Sequence, residues 1–259
     1  MKKTLLVTFL SFALAFPALS AEKAKGVVED MDFSFEGMFG TYDKDQLRRG
    51  LQVFTEVCAG CHGLNKVAYR NLGDKGGPEL SQNQIKEYMS NFEVFDIELD
   101  DYRAATPSDK FENSSIENAP DLSLMAKARA GFHGPYGLGI NQLIKGMGGP
   151  EYIVNLLLKY NEEEKEQAGS ILYGNDIYPG GWIAMGQPLW GEDVEYEDGT
   201  EATIEQEAKD VAAFLMWAAE PKLNNRKEAG FLALSMMIVL AGLLFLTNRR
   251  LWAPIKGKQ

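Results

Sequence analysis

Cysteine and histidine are both scarce in this chain of 259 residues, which contains two of each. The two cysteines, Cys58 and Cys61, are three positions apart, so no second pair exists to form the long-loop disulfides that usually stabilise exported domains. A zinc site is disfavoured. One histidine, His62, follows the pair directly and His133 is the other, so a four-ligand site of cysteine and histidine could not be completed without carboxylates. The sequence also lacks a phosphate-binding loop and a basic–aromatic pattern, which argues against nucleotide and nucleic-acid binding.

Positive charge is scarce in the middle of the chain. The sequence carries 26 basic and 37 acidic residues, a formal net charge of −11. All the acidic residues lie between Glu22 and Glu228, whereas two lysines precede this segment and four basic residues follow it. Such an acidic body should repel nucleic acid and anionic lipid; from composition alone, it either attracts basic partners or is a solvated surface without a partner.

Two apolar runs mark the ends of the chain. At the N-terminus, Lys2 and Lys3 precede an apolar run of 13 residues and the small-residue sequence PALSA. This layout is typical of a secretory signal peptide, and the run is too short to be a membrane-spanning anchor. We expect cleavage after Ser20 or Ala21, which makes residues 1–21 the signal peptide.

The second run, residues 229–247, contains 19 residues without a charge. As a helix it would cover about 28 Å, close to the hydrocarbon thickness of a bilayer. A buried core helix would carry a polar stripe, which this segment lacks. Basic residues concentrate on its C-terminal side. We therefore expect one span in the bacterial inner membrane, with a periplasmic domain at residues 22–228 and a cytoplasmic basic tail at residues 248–259.

Residues 58–62 read CAGCH, so His62 directly follows the second cysteine. C-x-x-C-H is the attachment motif of c-type haem. Two thiols one helical turn apart can form thioethers with the vinyl groups on one side of a porphyrin, and the adjacent imidazole is then carried beneath the ring. A thioredoxin-like redox disulfide would need a βαβ context, which does not precede the motif. The sequence therefore predicts one covalently attached haem c, with His62 as an axial iron ligand.

The second axial ligand has two candidates. Met185 lies in PGGWIAMGQPLWG, a stretch too rich in glycine and proline for regular structure, and such a loop can lay a thioether against an open haem face. His133, in GFHGPYG, is the alternative, because bis-histidine haems exist. Other methionines, such as Met125 and Met216, lie at helix-like spacings where core packing is the usual role.

Two amphipathic helices are predicted on either side of these ligands. Asp43 or Asp45 can cap a first helix that runs through LRRGLQVFTEV into the motif. A second helix is predicted over residues 203–219, with Thr203 as its N-cap. Its apolar residues recur at helical spacing, so we expect one face to be buried.

Gly50 in the first helix is small enough to let Phe214 or Trp217 of the second press against it. This arrangement is typical of helical c-type cytochromes. The predicted fold class is therefore mainly α: a c-type cytochrome haem domain with long loop insertions, plus one C-terminal transmembrane helix. The insertions are expected because Met185 lies 123 positions after His62, further than a minimal haem fold needs.

The insertions differ in composition. Residues 74–120 are predicted to be loop-rich with short helices, residues 131–150 are dense in glycine, and residues 151–160 are predicted to form a short helix. The sequence EEEKEQ that follows is expected to be a solvated surface.

Six segments, read together, carry a family resemblance: EVCAGCHGLNKVAYRNL, APDLSLMAKAR, GGPEYI, PGGWIAM, AKDVAAFLMWAAEPK and RRLWAPIKGK. They resemble the cytochrome c1 family, the haem subunits of quinol–cytochrome c reductase (cytochrome bc) complexes, and most of all its alphaproteobacterial members. The resemblance covers about residues 33–258.

The resemblance implies specific roles for site residues. Cys58 and Cys61 hold the haem, and His62 and Met185 are its axial ligands. Arg129, in AKAR, matches an arginine that pairs with a haem propionate.

Tyr152, in GGPEYI, matches a tyrosine near the same propionate, and Pro120, in APDLS, falls where the family lines the proximal side of the haem.

The sequence departs from the family pattern in two places. The family usually has prolines directly after its ligand methionine, whereas this chain has Gly186 and Gln187. Related bacterial proteins often carry an extra disulfide before this loop, and this chain has no cysteine there, so packing must hold the loop.

An electron relay is the function that the resemblance implies. The haem would take one electron from the Rieske iron–sulfur protein of the same complex and pass it to a c-type cytochrome, in respiratory or photosynthetic electron transport. Cytochrome b is the other expected subunit, and a dimeric complex is implied by the resemblance alone. The isolated chain would be a redox carrier, since the oxidoreductase activity belongs to the complex.

Residues 191–210 (GEDVEYEDGTEATIEQEAKD) contain nine acidic residues and a single lysine. One hypothesis is that this run steers a basic cytochrome towards the haem edge; the other is that it is an exposed loop kept soluble by its charge. Two functions of other classes stay open from the residues alone. One is a membrane-anchored cytochrome that acts as a shuttle or oxidase subunit, and the other is a haem sensor with an open sixth position.

Overall fold

A computed structural model describes residues 26–131, 146, 148–167 and 169–256. The predicted signal peptide, the alternative ligand His133 and most of the glycine-dense segment lie outside these residues. The described residues fall into two compact units. Residues 26–27 and 159–186 belong to the smaller unit, and those of 28–158 and 187–256 belong to the larger one.

Helices dominate the larger unit, as the predicted fold class requires. A π-helical turn (Phe54–Cys58) and a 3₁₀-helix (Tyr69–Gly73) follow the first α-helix. The α-helices of the described residues are α1 (Lys44–Val53), α2 (Gln82–Met89), α3 (Met125–Ala128), α4 (Gly149–Leu158), α5 (Ile204–Ala219) and α6 (Leu223–Lys256).

The first of these, α1, begins where the sequence predicts. The Asp43 carboxylate accepts hydrogen bonds from the backbone N–H groups of Asp45 (2.9 Å) and Gln46 (3.5 Å), so Asp43 is the N-cap. The helix continues into the π-helical turn, which ends at Cys58. Turns of this kind are rare and frequently occur at functional sites.

Helix α1 crosses α5 with almost no space between the two backbones. A Cβ atom at Gly50 would lie 2.0 Å from the Asp210 carbonyl oxygen and 2.7 Å from the Phe214 Cβ. The Phe54 and Phe214 rings lie next to this point, with centroids 5.8 Å apart. Phe214 rather than Trp217 is therefore the aromatic residue that contacts Gly50.

Helix α5 is the centre of the larger unit and packs against α1, α3 and α4. Thr203 caps it by accepting a 3.2 Å hydrogen bond from the Gln206 N–H, as predicted. Nearly all its side chains from Glu207 to Ala218 are buried. The helix ends at Ala219, so the predicted boundary is confirmed.

Within residues 74–120, α2 fits the prediction of short helices, but a β-hairpin was not predicted. Its strands are β1 (Glu93–Asp96) and β2 (Asp101–Ala104), which pair in antiparallel register. The Arg103 guanidinium binds the carboxylates of Asp96 (2.8 Å) and Asp109 (2.6 Å), which ties the two strands to each other and to the segment that follows them. Four-residue strands are too short for a clear alternating pattern, which explains why the sequence did not reveal them.

The smaller unit is an antiparallel sheet that the sequence did not predict either. The EEEKEQ segment is largely exposed, as expected for a solvated surface, but its backbone forms a strand at the edge of this sheet. Glutamate and lysine are depleted in strands, although charged residues are common on edge strands. Because this strand begins at Tyr160, helix α4 ends at Leu158 and not at the predicted residue 160. The strands, in sheet order, are β3 (Tyr160–Gln167), β4 (Ser170–Asn175) and β5 (Trp182–Ile183).

The long helix α6 contains the predicted span 229–247 and extends it at both ends. It has 34 residues and is therefore about 51 Å long. The most apolar stretch within residues 223–255 has a mean hydropathy of 2.5, and none of that stretch is buried against the rest of the described chain. The helix includes Pro254 in its last turn, so the basic tail is helical as far as Lys256. Its length and apolarity suit one membrane crossing.

Replacing Gly50 by alanine tests the crossing of α1 and α5. The added methyl group would overlap the Asp210 carbonyl oxygen, so the helices would have to separate. We expect a loss of about 1–3 kcal/mol in the free energy of unfolding, as overpacking usually costs. Gly230→Ala is the control, because nothing lies within 4 Å of a Cβ at that helical position. Thermal melting followed by circular dichroism measures both, and equal melting temperatures would contradict the close crossing.

Candidate haem site

The CAGCH motif begins in the π-helical turn and bends sharply after it. The backbone N–H groups of Cys61 and His62 both donate to the Cys58 carbonyl, at 3.1 and 2.9 Å. Neither cysteine forms a disulfide; Cys58 is half-buried and Cys61 is exposed. The motif thus presents two thiols on one turn of backbone, with the imidazole directly after them.

The Cys58 thiol is a poor source of thiolate. Burial, with a smaller contribution from Cys61, raises the pKa of Cys58 to about 12. Redox-active cysteines have lowered pKa values, and zinc binds the thiolate form. Within the described part of the chain, no group of three or more histidine, cysteine or acidic side chains could hold a metal ion. The raised pKa of Cys58 argues against the redox-disulfide interpretation.

A backbone carbonyl holds His62 in one orientation. The His62 Nδ1 lies 2.8 Å from the Pro120 carbonyl oxygen, and because a carbonyl only accepts, Nδ1 carries the proton. The unprotonated Nε2 is then the nitrogen that can bind iron. Histidine ligands commonly donate their other ring N–H to a carbonyl, which fixes the tautomer and raises the basicity of the ligand. The structure thus brings Pro120 and His62 together.

A turn at residues 120–123 holds the Pro120 carbonyl in place for its hydrogen bond with His62. The sequence analysis did not predict this turn. The Asp121 carboxylate accepts from the backbone N–H groups of Asn65 (2.8 Å) and Ser123 (3.0 Å). The Ser123 hydroxyl accepts from the Lys66 N–H at 3.1 Å. An aspartate side chain often bonds to the backbone two residues on, so the sequence APDLS held a usable signal for this turn.

Arg129 and Tyr152 lie on elements that contact each other. A Cβ at Gly149, the first residue of α4, would lie 1.7 Å from the Ala126 carbonyl oxygen and 3.0 Å from that of Arg129. The end of α3 and the start of α4 are therefore in backbone contact. The Arg129 side chain is exposed and donates to the Ala128 carbonyl at 3.3 Å, while Tyr152 is half-buried. Their roles at the propionate stay predictions.

Met185 lies in the smaller unit, shortly after β5. Its backbone carbonyl accepts a 3.1 Å hydrogen bond from the Tyr160 hydroxyl at the start of β3. Burial raises the pKa of Tyr160, so the phenol stays protonated and can donate. A Cβ at Gly186 would lie 3.5 Å from the Tyr173 ring of β4, an ordinary packing distance. The sheet thus holds the loop, and the role of Met185 as axial ligand stays a prediction.

The chemistry of these residues fits a covalently attached c-type haem. Two thiols outside any disulfide and one turn apart are the groups that form thioethers, and His62 presents Nε2 because Nδ1 is engaged. Cys58, Cys61 and His62 are therefore the residues of this unit that would hold the haem.

Comparison with known proteins gives one family. The model of the cytochrome C1 family matches residues 33–255. Cytochrome c1 of Cereibacter sphaeroides is 51% identical, over 90% of both chains, and cytochrome c1 of Rhodobacter capsulatus is 44% identical, over 99% of both. A Candida albicans protein named cytochrome b-c1 complex catalytic subunit, mitochondrial, is 38% identical over 86% of this chain and 76% of its own.

Asp121→Ala tests the support behind His62. Without the carboxylate, the Pro120 carbonyl is less firmly held, and its hydrogen bond to Nδ1 weakens. A less basic imidazole stabilises ferric iron less, so we expect a higher midpoint potential in a redox titration of the haem. Asn113→Ala is the control, because Asn113 bonds the Asn65 side chain (2.9 Å) and not the turn. An unchanged potential in Asp121→Ala would contradict this role.

Proposed function

This chain belongs to the cytochrome c1 family, and on that premise we propose which residues hold its haem and which partners it serves. It is the electron-transfer subunit of a quinol–cytochrome c reductase complex and carries one covalently attached haem c. The observation that carries this function is the CAGCH turn with an oriented His62, in a chain that matches the family from residue 33 to 255. The chain itself is a redox carrier. Family membership favours this role over the shuttle, oxidase-subunit and sensor alternatives.

The proposed haem attachment uses Cys58 and Cys61 as thioether donors and His62 and Met185 as axial ligands. The haem supplies an iron that changes between the ferric and ferrous states and so holds one electron. His62 is positioned through Pro120, whose carbonyl keeps Nδ1 protonated.

Met185 suits the second axial position by its chemistry and by its support. A thioether ligand raises the reduction potential of a haem relative to a second histidine. Gly186 and Gln187 replace the prolines usual in the family and leave the backbone after Met185 less restricted. The hydrogen bond from the Tyr160 hydroxyl to the Met185 carbonyl compensates in part, since it ties the loop to β3.

Arg129 and Tyr152 are proposed to face the propionate side of the haem. The support is the backbone contact between the end of α3 and the start of α4, which brings the two residues to adjoining elements. The Arg129 guanidinium is exposed and suits a carboxylate, which it can bind with two parallel hydrogen bonds.

The proposed electron donor is the Rieske iron–sulfur protein, and the proposed acceptor is a basic c-type cytochrome. Cytochrome b is the expected third subunit, and the complex is expected to be dimeric. The Candida albicans relative is named as a subunit of the cytochrome b-c1 complex, which supports membership in a complex of this kind. We propose that α6 anchors the chain in the inner membrane with residues 22–228 in the periplasm and the basic C-terminal end in the cytoplasm.

The nine acidic residues of 191–210 divide into two groups. Glu207 and Asp210 are buried, and burial with the neighbouring Asp193 raises the pKa of Glu207 to about 7. Asp210 and Asp198 both bind Arg49, at 2.8 Å each. The Asp193 carboxylate also accepts hydrogen bonds from the backbone N–H groups of Trp190 and Gly191. The four acidic residues of the first group, which stabilise the fold, are therefore Asp193, Asp198, Glu207 and Asp210. Steering of a basic partner is therefore left to the exposed group: Glu192, Glu195, Glu197, Glu201 and Glu205.

A Met185→Leu variant tests the axial ligand. We expect the purified protein to keep the α band of a c-type haem but to lose the near-infrared charge-transfer band of methionine–iron ligation in its oxidised form. Its midpoint potential should fall as well, because the thioether is gone. Met125→Leu, in α3, is the matched control and should retain the band. Persistence of the band in Met185→Leu would show that another residue binds the iron.

Neutralising four exposed acids tests steering by the acidic run. We expect Glu192, Glu195, Glu197 and Glu201, changed together to glutamine, to slow reduction of a basic c-type cytochrome at low ionic strength, with little effect at high salt. The same change at the exposed Glu162, Glu163, Glu164 and Glu166 of β3 alters the net charge equally and is the control. If both quadruple variants lose the same rate, net charge and not this run governs association.

A further inference from the structure

A tight turn with exposed apolar side chains lies beside the first part of α6. Residues 34–40, the Phe39 turn, are closed by a 3.0 Å hydrogen bond from the Thr41 N–H to the Ser34 carbonyl. Gly37 has a φ of +65°, a conformation that favours glycine. Met38 and Phe39 project from the turn with 69% and 71% of their surface exposed. Two large apolar side chains on a closed turn are a candidate contact surface.

Three side chains of α6 hold the Phe39 turn, or the residues that flank it, to the helix. The Lys227 ammonium donates to the carbonyls of Phe35 (2.5 Å) and Gly40 (3.1 Å). The Phe39 ring packs edge-on against Phe231, with centroids 5.6 Å apart. The Asn224 side chain accepts a 3.2 Å hydrogen bond from the Tyr42 N–H.

These contacts follow one face of the helix, because positions 224, 227 and 231 are separated by three and four residues. The turn is also tied to the core of the haem domain. The buried Phe33 and Phe35 rings stack at 4.9 Å, and Phe35 contacts the buried Tyr42 ring at 5.2 Å. Its position relative to α6 is therefore fixed from both sides.

The depth of the Phe39 turn in the membrane follows from the rise per residue of α6. Phe231 is four residues beyond Lys227, about 6 Å further along the axis, and lies inside the uncharged stretch 229–247. Lys227 belongs at the level of the lipid headgroups, where long cationic side chains reach polar groups. A ring that packs on Phe231 therefore lies at the edge of the hydrocarbon, where large amphipathic and apolar side chains of peripheral segments are buried.

We propose that the Phe39 turn is a second membrane contact, which inserts Met38 and Phe39 into the bilayer interface beside α6. The occupant of this surface is phospholipid, since the apolar patch is continuous with the lipid-facing surface of the helix. The proposal rests on α6 crossing the membrane and is independent of the haem ligands and of the electron-transfer partners.

The consequence is a fixed orientation of the haem domain relative to the membrane. Only residues 220–222 separate α5 from α6, and the contacts of the Phe39 turn fix the domain to the helix, but a single helix would still be free to tilt and rotate in the membrane. A second point of insertion, tied rigidly to the core through Phe33 and Phe35, removes most of that freedom. The Phe39 turn thereby holds the haem domain at one height and tilt.

Photocrosslinking in the assembled complex tests the proposal. p-Benzoyl-L-phenylalanine is placed at position 39 in place of Phe39, the complex is irradiated in native membranes, and the adducts on this chain are identified by mass spectrometry. We expect a phospholipid adduct. The probe in place of Phe231 is the positive control, and the probe in place of Ile116, half exposed on the haem domain, should yield no lipid adduct.

The other outcomes overturn the proposal. An adduct between position 39 and a different polypeptide of the complex would show that another subunit covers the turn. No adduct at position 39, while position 231 crosslinks to lipid, would show that the turn faces water. The α band of the attached haem, recorded for each labelled chain, reports on haem attachment separately, so failure of the haem assignment cannot be confused with failure of the membrane contact.

Discussion

The contact between the backbones of α1 and α5 at Gly50 determines where the haem motif lies. Because Gly50 has no side chain, the Asp210 carbonyl can approach to within contact distance. The carboxylate of the same Asp210 binds Arg49, the residue before Gly50, so shape and charge act at one point. The π-helical turn and the CAGCH motif follow directly on α1, so a side chain at position 50 would push on the segment that leads to His62.

On its other side, the motif is restrained by backbone pairing. The segment after His62 runs beside residues 107–112, with hydrogen bonds from Leu64 to Glu112 (3.1 Å) and from Tyr69 to Asp109 (3.0 Å). The turn at Asp121 closes against the same segment. His62 therefore sits between two independently fixed backbones. Such rigidity suits an electron carrier, whose ligands have to keep nearly the same geometry in both oxidation states.

Much of this arrangement could be predicted because it is encoded locally. The Asp43 and Thr203 caps, the α5 stripe and CAGCH are each visible within a few residues, and the close approach at Gly50 followed from its lack of a side chain. The β3–β5 sheet could not be predicted, because its first strand is rich in glutamate and pairs only through tertiary context. The support of Met185 by Tyr160 joins residues 25 positions apart, and no local pattern reports it. The clamp by Asp121 had a local signal, but its target, Asn65, lies on a distant segment.

The raised pKa of the Cys58 thiol also bears on how the protein matures. A disulfide between Cys58 and Cys61 would form by exchange with an external disulfide oxidant, which is reduced to its dithiol; in one of the two steps the Cys58 thiolate has to attack, and the rate depends on the fraction of that thiol that is ionised. With a pKa of about 12, Cys58 is almost entirely protonated at neutral pH. In the oxidising compartment that we propose for this domain, the folded chain would therefore close this disulfide slowly. Slow closure would keep the two thiols available for thioether formation for longer than in a pair with two ordinary thiols.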